Sequence, residues 1–393
     1  MTTPRDASEF LANQVLEAYG NERALRIVSG NSKPHLGQPV NGEPLDVSGH
    51  YGIVDYEPTE LVVTARAGTP LSELESIVHQ SGQMLPFEPP HLGAGATLGG
   101  TIACGLSGPR RPHSGSARDY VLGIKMINGC GEVLRFGGQV MKNVAGYDVS
   151  RLMVGAQGTL GVLLDVSLKV LPRPACERTV FIEMSAGVGI ETMNWLAARP
   201  LPLTAACHVP EMDSQAEVLC LRLSGAEEAV EESIAYLRKE QSDFFIEVLP
   251  ENNEQATLFW QSLRERKHDF FLNPLAKPTQ SLWRLSLPPA TPVFWREKSD
   301  GVKTEHHKQS QEEAFTATCL IDWAGAQRWM KTEAPAEAVH EAVTRHGGYA
   351  TLLTAESATQ SPLSPGLMAV HKNLKRAFDP KGLLNPERLY AGW

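Results

Sequence analysis

A chain of 393 residues exceeds what one ordinary domain needs and suits two or three, each able to bury a core of its own. Its net charge of -9 argues against a surface field that would hold nucleic acid or an anionic membrane. The six cysteines, Cys104, Cys130, Cys176, Cys207, Cys220 and Cys319, form no C-x-x-C pair, so any iron–sulfur cluster must belong to another chain.

The opening MTTPRDASEF lacks the basic and apolar regions of a signal peptide, and no apolar run reaches the roughly 18 residues of a spanning helix, so a cytoplasmic address is expected. Residues 7–19 carry Phe10, Leu11, Val15, Leu16 and Tyr19 at helical spacing, and residues 25–28 read as a strand running into Ser29-Gly30-Asn31-Ser32-Lys33. Residues 61–65 read as a second strand, followed by a helix with Thr69 as N-cap and Pro70 at its first position. From 87 to 115 the chain is too rich in Gly and Pro to be ordered by its own side-chain packing. Residues 121–127 and 132–136 flank the hairpin turn Asn128-Gly129-Cys130-Gly131, and 162–171 form a further strand.

After Pro172-Arg173-Pro174 the glycine density falls, which places a domain boundary near 175. Strands are expected at 179–184, 218–223, 244–248, 282–287 and 315–321, with helices at 227–239, 257–266 and 336–345. The expectation is an α+β domain with helices on one face of a mainly antiparallel sheet, and an exposed polar loop at 298–313.

Three segments carry chemistry. Ser29-Gly30-Asn31-Ser32-Lys33 offers backbone N–H groups, hydroxyls and an ammonium to a phosphate, or is simply a strand-ending turn. The run Gly93-Ala94-Gly95-Ala96-Thr97-Leu98-Gly99-Gly100-Thr101 superficially matches a nicotinamide-binding fingerprint, but it leaves Pro86-Phe87-Glu88-Pro89-Pro90-His91 rather than a hydrophobic strand. Lys142-Asn143-Val144-Ala145-Gly146-Tyr147-Asp148, then Gly155-Ala156-Gln157-Gly158-Thr159-Leu160-Gly161-Val162, suits backbone closing on an extended ligand or a pair of tight turns.

In this order, with Arg118-Asp119 between the second and third segments and Leu168-Lys169-Val170-Leu171-Pro172-Arg173-Pro174 closing the block, the sequence resembles the FAD domain of the vanillyl-alcohol-oxidase/p-cresol-methylhydroxylase (PCMH-type) family. The resemblance covers nearly all of residues 1–175, and Phe378-Asp379-Pro380-Lys381-Gly382-Leu383-Leu384-Asn385-Pro386 resembles that family's return from cap to FAD domain. It implies a two-subdomain FAD-binding domain at 1–175, an α+β cap at 176–360 and a returning segment at 361–393. It also implies FAD contacts from Ser29, Gly30, Asn31, Ser32, Lys33, Pro89, Gly95, Ala96, Thr97, Gly99, Gly100, Thr101, Asp119, Asn143, Ala145, Gly146, Tyr147, Asp148, Gly161 and Val162. Asn31 and Ser32 stand where covalent members often carry His, so the FAD is expected to be dissociable, with nearby His35 a loop residue.

The cap segments 259–265, 282–286, 321–329 and 347–352 look like those of the flavin-binding E-type subunits of bacterial glycolate oxidases. That resemblance implies a larger FAD-binding subunit and an iron–sulfur subunit as partners, and leaves peripheral membrane association through them open. No counterpart of the H-x-G-D-G-N-x-H segment of free-standing 2-hydroxyacid dehydrogenases is present, which argues against a stand-alone dehydrogenase; that reading and a flavin-free structural subunit are the alternatives. Arg284, Arg328 and His346 are the catalytic candidates, each with a purely structural alternative. Trp260, Trp283, Trp323 and Trp329 suit either a core or a docking surface.

Overall fold

The computed structural model describes residues 4–138, 147–210, 216–251, 253–273, 279–296, 315–354, 357–390 and 392. Helix Ser8–Gly20 buries Leu11, Val15 and Ala18, successive positions of one helical face. Strand Leu25–Val28 pairs in parallel with Glu43–Asp46. The Ser29–Lys33 loop therefore hangs from the end of a parallel strand, ahead of the connection back.

Beside this pair lies a five-stranded antiparallel sheet in the order Ile53–Glu57, Val62–Arg66, Val162–Lys169, Val121–Ile127, Val133–Gly137. Val162–Lys169 is its middle strand, buried on both faces, with Val162, Leu164, Val166 and Leu168 fully enclosed. Helix Leu71–Gln80 begins one residue later than expected, with Pro70 at the N-cap and no side-chain cap. Thr69 is not that cap; it is turned inward, and its hydroxyl accepts from the Gly52 N–H at 2.9 Å.

The glycine run does enter a helix, Leu98–Cys104, whose N-cap Thr97 accepts from the Gly100 N–H. What orders the rest of 87–115 comes from the second half of the chain. Glu88 receives Arg222 at 2.8 Å, the Glu265 carboxylate receives the N–H groups of His91 and Leu92 at 3.1 and 2.9 Å, and the Gly108 carbonyl receives the Trp323 indole N–H at 3.0 Å.

The second half is built on a nine-stranded antiparallel sheet in the order Ile246–Leu249, Cys176–Glu183, Val218–Gly225, Leu203–Val209, Ala317–Asp322, Gln327–Thr332, Ser281–Ser286, Tyr349–Leu353, Ala358–Gln360. Helices Ala186–Ala197, Glu227–Glu240 and Ala336–Arg345 bury Met193, Ile234 and Val339 against one face. The one-face expectation is incomplete: Glu254–Arg264 and Asp269–Leu272 close the other face with Trp260, Leu263 and Phe270 over Cys207, Cys220 and Leu320. Alternation along the strands explains this, since Leu219 and Leu221 enter one core and Cys220 the other. The expected loop at 298–313 lies outside the described residues.

Helix Pro365–Phe378 carries the chain back to the first half. There the Gly129 N–H of the hairpin turn donates to the Phe378 carbonyl at 2.8 Å, and Leu384 joins the first core.

Candidate cofactor-binding site

A cleft of about 440 Å³ opens where the parallel pair, helix Leu98–Cys104 and the returning segment converge. That volume lies within the roughly 300–1,000 Å³ of small-molecule and cofactor sites. Its walls include Ser29, Gly30, Asn31, Ser32, Lys33, Gly95, Thr97, Gly99, Gly100 and Gly161, all expected from sequence. Two glycines set its shape. A Cβ on Gly30 would lie 1.3 Å from the Gly95 carbonyl oxygen, and one on Gly95 would lie 2.2 Å from that of Gly30, so the two loops touch backbone to backbone.

Lys33 is buried, and its Nζ donates to the His91 carbonyl at 2.9 Å and the Ser32 hydroxyl at 3.2 Å, with no carboxylate partner among the described residues. Burial pulls its pKa below the usual lysine range. Arg26 and Arg388 also line the cleft. The Ser29 hydroxyl is buried there with no hydrogen-bond partner. Buried polar groups of this kind are costly unless a ligand satisfies them. A cleft with surplus cations, an orphaned hydroxyl and a glycine-only backbone contact fits the pyrophosphate of an FAD, as the resemblance implied.

Other expected contacts are placed elsewhere. Pro89, Ala96, Thr101 and Val162 are buried and are not among the residues lining the cleft, with the Thr101 hydroxyl lacking a partner. Asp119 closes a capping box, receiving the Ser116 N–H and hydroxyl at 2.8 Å, and does not line the cleft. Asp148 accepts from the Arg151 N–H and caps Val149–Leu152, while Tyr147 is 92 % exposed. Asn143, Ala145 and Gly146 lie outside the described residues.

Sequence reasoning missed the contribution of the returning segment. Asn385 lines the cleft, accepts from the Ile27 N–H at 2.8 Å and donates to the Gln157 carbonyl at 2.7 Å. Arg388 donates to the carbonyls of Pro34 and Gln38 at 2.8 and 2.7 Å and to the Gln157 side chain at 3.1 Å. Asn31, Gln157 and Asn385 all have positive φ, 50°, 49° and 42°, and such strained backbone concentrates at functional sites.

Of the three catalytic candidates, the structure brings one to the junction between the halves. Arg284 donates to the Gln327 side chain at 2.8 Å and faces a small hollow shared by Ser107, Gly108, Arg266, Asp322 and Trp323. Arg328 is instead a core residue: its guanidinium donates to the carbonyls of Pro292, Thr291 and Gly325. His346 stacks on Phe294 at 5.0 Å, within the second half of the chain. Trp260, Trp283, Trp323 and Trp329 are all buried, which makes them core rather than docking surface.

Asp322 sits in this junction, its carboxylate accepting from the Trp323 N–H at 2.7 Å and the Gln327 amide at 3.4 Å. Burial raises its pKa from 3.8 to about 6, helped by the charge of Glu88. A carboxyl whose native pKa is raised stabilises the fold fully below the unfolded value and loses that advantage as pH rises through about 6. Asp322→Asn is therefore expected to stabilise the chain by up to about 3 kcal/mol at pH 8 and by little near pH 4. Denaturant titration at the two pH values reads the difference, and an equal effect at both would contradict the buried-carboxyl account.

Among the described residues no group of His, Cys, Asp and Glu could hold a metal, and no helix is long and apolar enough to cross a membrane. Comparison with known proteins agrees with the cleft. A family model described as an FAD binding domain matches residues 3–137. The glycolate oxidase subunit GlcE of Escherichia coli K12 is 43 % identical over 98 % of this chain and 98 % of its own length. The glycolate oxidase subunit GlcD of Bacillus subtilis is 24 % identical, with 86 % of this chain and 77 % of that protein aligned. Among solved structures, an alkyldihydroxyacetonephosphate synthase superposes with a TM-score of 0.66 over 96 % of this chain and 74 % of its own, at 16 % identity.

Proposed function

The chain belongs to the family of the glycolate oxidase subunit GlcE, and from that membership we propose that it is the FAD-binding subunit of a multi-subunit enzyme oxidising glycolate to glyoxylate. The observation that carries the cofactor assignment is the cleft in which Lys33 is buried without a counter-anion beside two interlocked glycine loops. In this reading Ser29–Lys33, Gly95–Gly100 and Gly161 hold the dinucleotide, joined by Gln157, Asn385 and Arg388, and Asn143, Ala145 and Gly146 belong to the same set. Residues 1–175 form the FAD domain, 176–360 the cap and 361–393 the returning segment.

The bound flavin supplies the redox chemistry. The chain's own part is positional and electrostatic. Lys33 and the loop N–H groups offset the pyrophosphate charge, the Gly30–Gly95 contact keeps side chains from between the loops, and Asn385 fixes the returning segment to the cleft wall. No His occupies the Asn31–Ser32 positions, which supports a dissociable FAD.

The proposal includes a larger FAD-binding subunit and an iron–sulfur subunit as partners, at the cytoplasmic side of a membrane that only the partners would reach. In this reading the chain passes electrons outward to the iron–sulfur subunit. The test is the absorbance spectrum of the purified chain before and after acid precipitation, followed by anaerobic glycolate. The expected result is flavin recovered in the acid supernatant, with bleaching by glycolate only after partner subunits are added. Failure to take up FAD on reconstitution would leave a purely structural subunit, and bleaching of the isolated chain would establish a stand-alone dehydrogenase instead.

A further inference from the structure

The junction between the halves holds an alternating stack of arginines and tryptophans. The Arg111 guanidinium lies 4.2 Å from the Trp323 ring centre, Arg284 lies 5.4 Å from Trp323 and 6.0 Å from Trp329, and Arg266 lies 4.7 Å from Trp329. Most arginines around this stack are spent on acids. Arg110 and Arg222 pair with Glu88 and Glu177, and Arg264 pairs with Glu265.

The three in the stack are not. Among the described residues Arg111, Arg266 and Arg284 have no carboxylate partner, and the side chains of Arg111 and Arg266 make no hydrogen bond. Three like charges are thus gathered in a chain whose overall balance is -9. Indole faces offset part of the cost of burying a guanidinium and leave its N–H donors unspent. Arg266 also has a positive φ of 54°, a conformation a non-glycine residue adopts only where its surroundings enforce it.

Arg266 and Arg284 meet at the hollow they share with Ser107, Gly108 and Asp322, whose carboxyl accepts from the Trp323 N–H and the Gln327 amide and forms no ion pair with either guanidinium. Its free volume is about 20 Å³, close to that of one water, so it suits one end of a small molecule and not an extended ligand. Glu265, next to Arg266 in the chain, accepts from the His91 N–H, and the His91 carbonyl accepts from Lys33 of the cofactor cleft, so the hollow lies toward that cleft.

We propose that Arg266 and Arg284, backed by Trp329 and Trp323, bind the carboxylate of a small organic acid at the junction of the two halves. Planar guanidinium donors match the two oxygens of a carboxylate better than they match a spherical anion. That the site takes a carboxylate rests on this geometry. That the acid is a 2-hydroxyacid rests on the proposed function.

The test uses the full-length chain, with and without reconstituted FAD, titrated with glycolate and separately with sodium chloride. Calorimetry and tryptophan fluorescence read the binding, since Trp323 and Trp329 stand beside the guanidiniums. The expected result is saturable binding of glycolate that chloride at equal ionic strength does not displace. Arg266→Gln and Arg284→Gln should each weaken it at least about tenfold, the loss expected when a charge-assisted contact is removed. Arg266→Lys, which keeps the charge and disturbs packing least, should recover only part of that loss. The flavin content of each variant should match that of the unaltered chain.

No binding of glycolate by the unaltered chain, binding unchanged in Arg266→Gln and Arg266→Lys, or displacement by chloride would each overturn the proposal. Flavin content in the same samples separates this from failure of the FAD assignment. Carboxylate binding by a chain that takes up no FAD would keep the site and sink only the cofactor reading.

Discussion

Replacing Gly30 with valine is expected to lower the FAD content of the purified chain by more than about tenfold, a loss of at least about 1.4 kcal/mol in binding free energy. The reason is steric and local. The Cβ of any side chain at this position would fall 1.3 Å from the Gly95 carbonyl oxygen, so the two loops must separate, and a valine adds two further methyl groups to the collision. The cofactor reading needs those loops held together, with Lys33 and the loop N–H groups converging on one charge. Displaced by even an ångström, donors of this kind lose most of their hold on an anion. Overpacking of this size commonly costs about 1–3 kcal/mol of stability, which a chain with two extensive cores should survive. The ratio of flavin to protein absorbance, and an FAD titration of the apo-protein, measure the effect. Gly187→Ala serves as control, because nothing lies within 4 Å of its Cβ and it sits in a helix. Retention of flavin by Gly30→Val would mean that these loops do not cradle it.

Lys375→Met should destabilise the fold by about 3–5 kcal/mol, the cost of leaving a buried charge without its partner. The Lys375 Nζ donates to the Asp379 carboxylate, the Thr159 carbonyl and the Leu384 carbonyl, each at 2.7 Å. Asp379 in turn accepts from the N–H groups of Leu383 and Leu384 at 3.1 and 2.7 Å, and both side chains are almost fully buried. This one cluster fastens the returning segment to the loop that precedes Val162–Lys169. Its loss should also loosen Asn385 and Arg388 at the cleft, so FAD affinity is expected to fall together with the denaturation midpoint. Adding Asp379→Asn to Lys375→Met should recover part of the loss, since the orphaned charge is then removed. The exposed pair Arg345–Glu341 offers a contrast, with an expected effect of Arg345→Ala below about 1 kcal/mol. A Lys375→Met effect as small as that would show that the segment is held mainly by apolar contact.

The elements read most closely from sequence are those whose cause is local. Strand Leu25–Val28 and helix Ala336–Arg345 fall where the sequence placed them, because their apolar spacing matches only one secondary structure. Gln327–Thr332 shows the opposite case. It is buried along its whole length although Gln327, Arg328, Lys331 and Thr332 are polar, since Arg328 finds backbone carbonyls and Lys331 donates to the Asn273 carbonyl at 2.9 Å. Thr69 looked like a helix cap because Pro70 follows it, and a distant backbone group, Gly52, claimed its hydroxyl instead.

The same division runs through the candidate site. By itself the sequence determined the glycine loops and the lysine beside them, because the need for a backbone without Cβ atoms is written residue by residue. It carried the family resemblance for the same reason. Only the tertiary structure decided that Asn385 and Arg388 reach the cleft from the far end of the chain, and that Asp119 and Asp148 take part in helix caps. It also decided the fate of two arginines that look alike in sequence: Arg328 is spent on three backbone carbonyls, while Arg284 meets Arg266 at a hollow where neither forms an ion pair among the described residues. Whether a charge is satisfied depends on which groups the fold brings within about 3 Å of it, and those groups lie tens to hundreds of residues away along the chain.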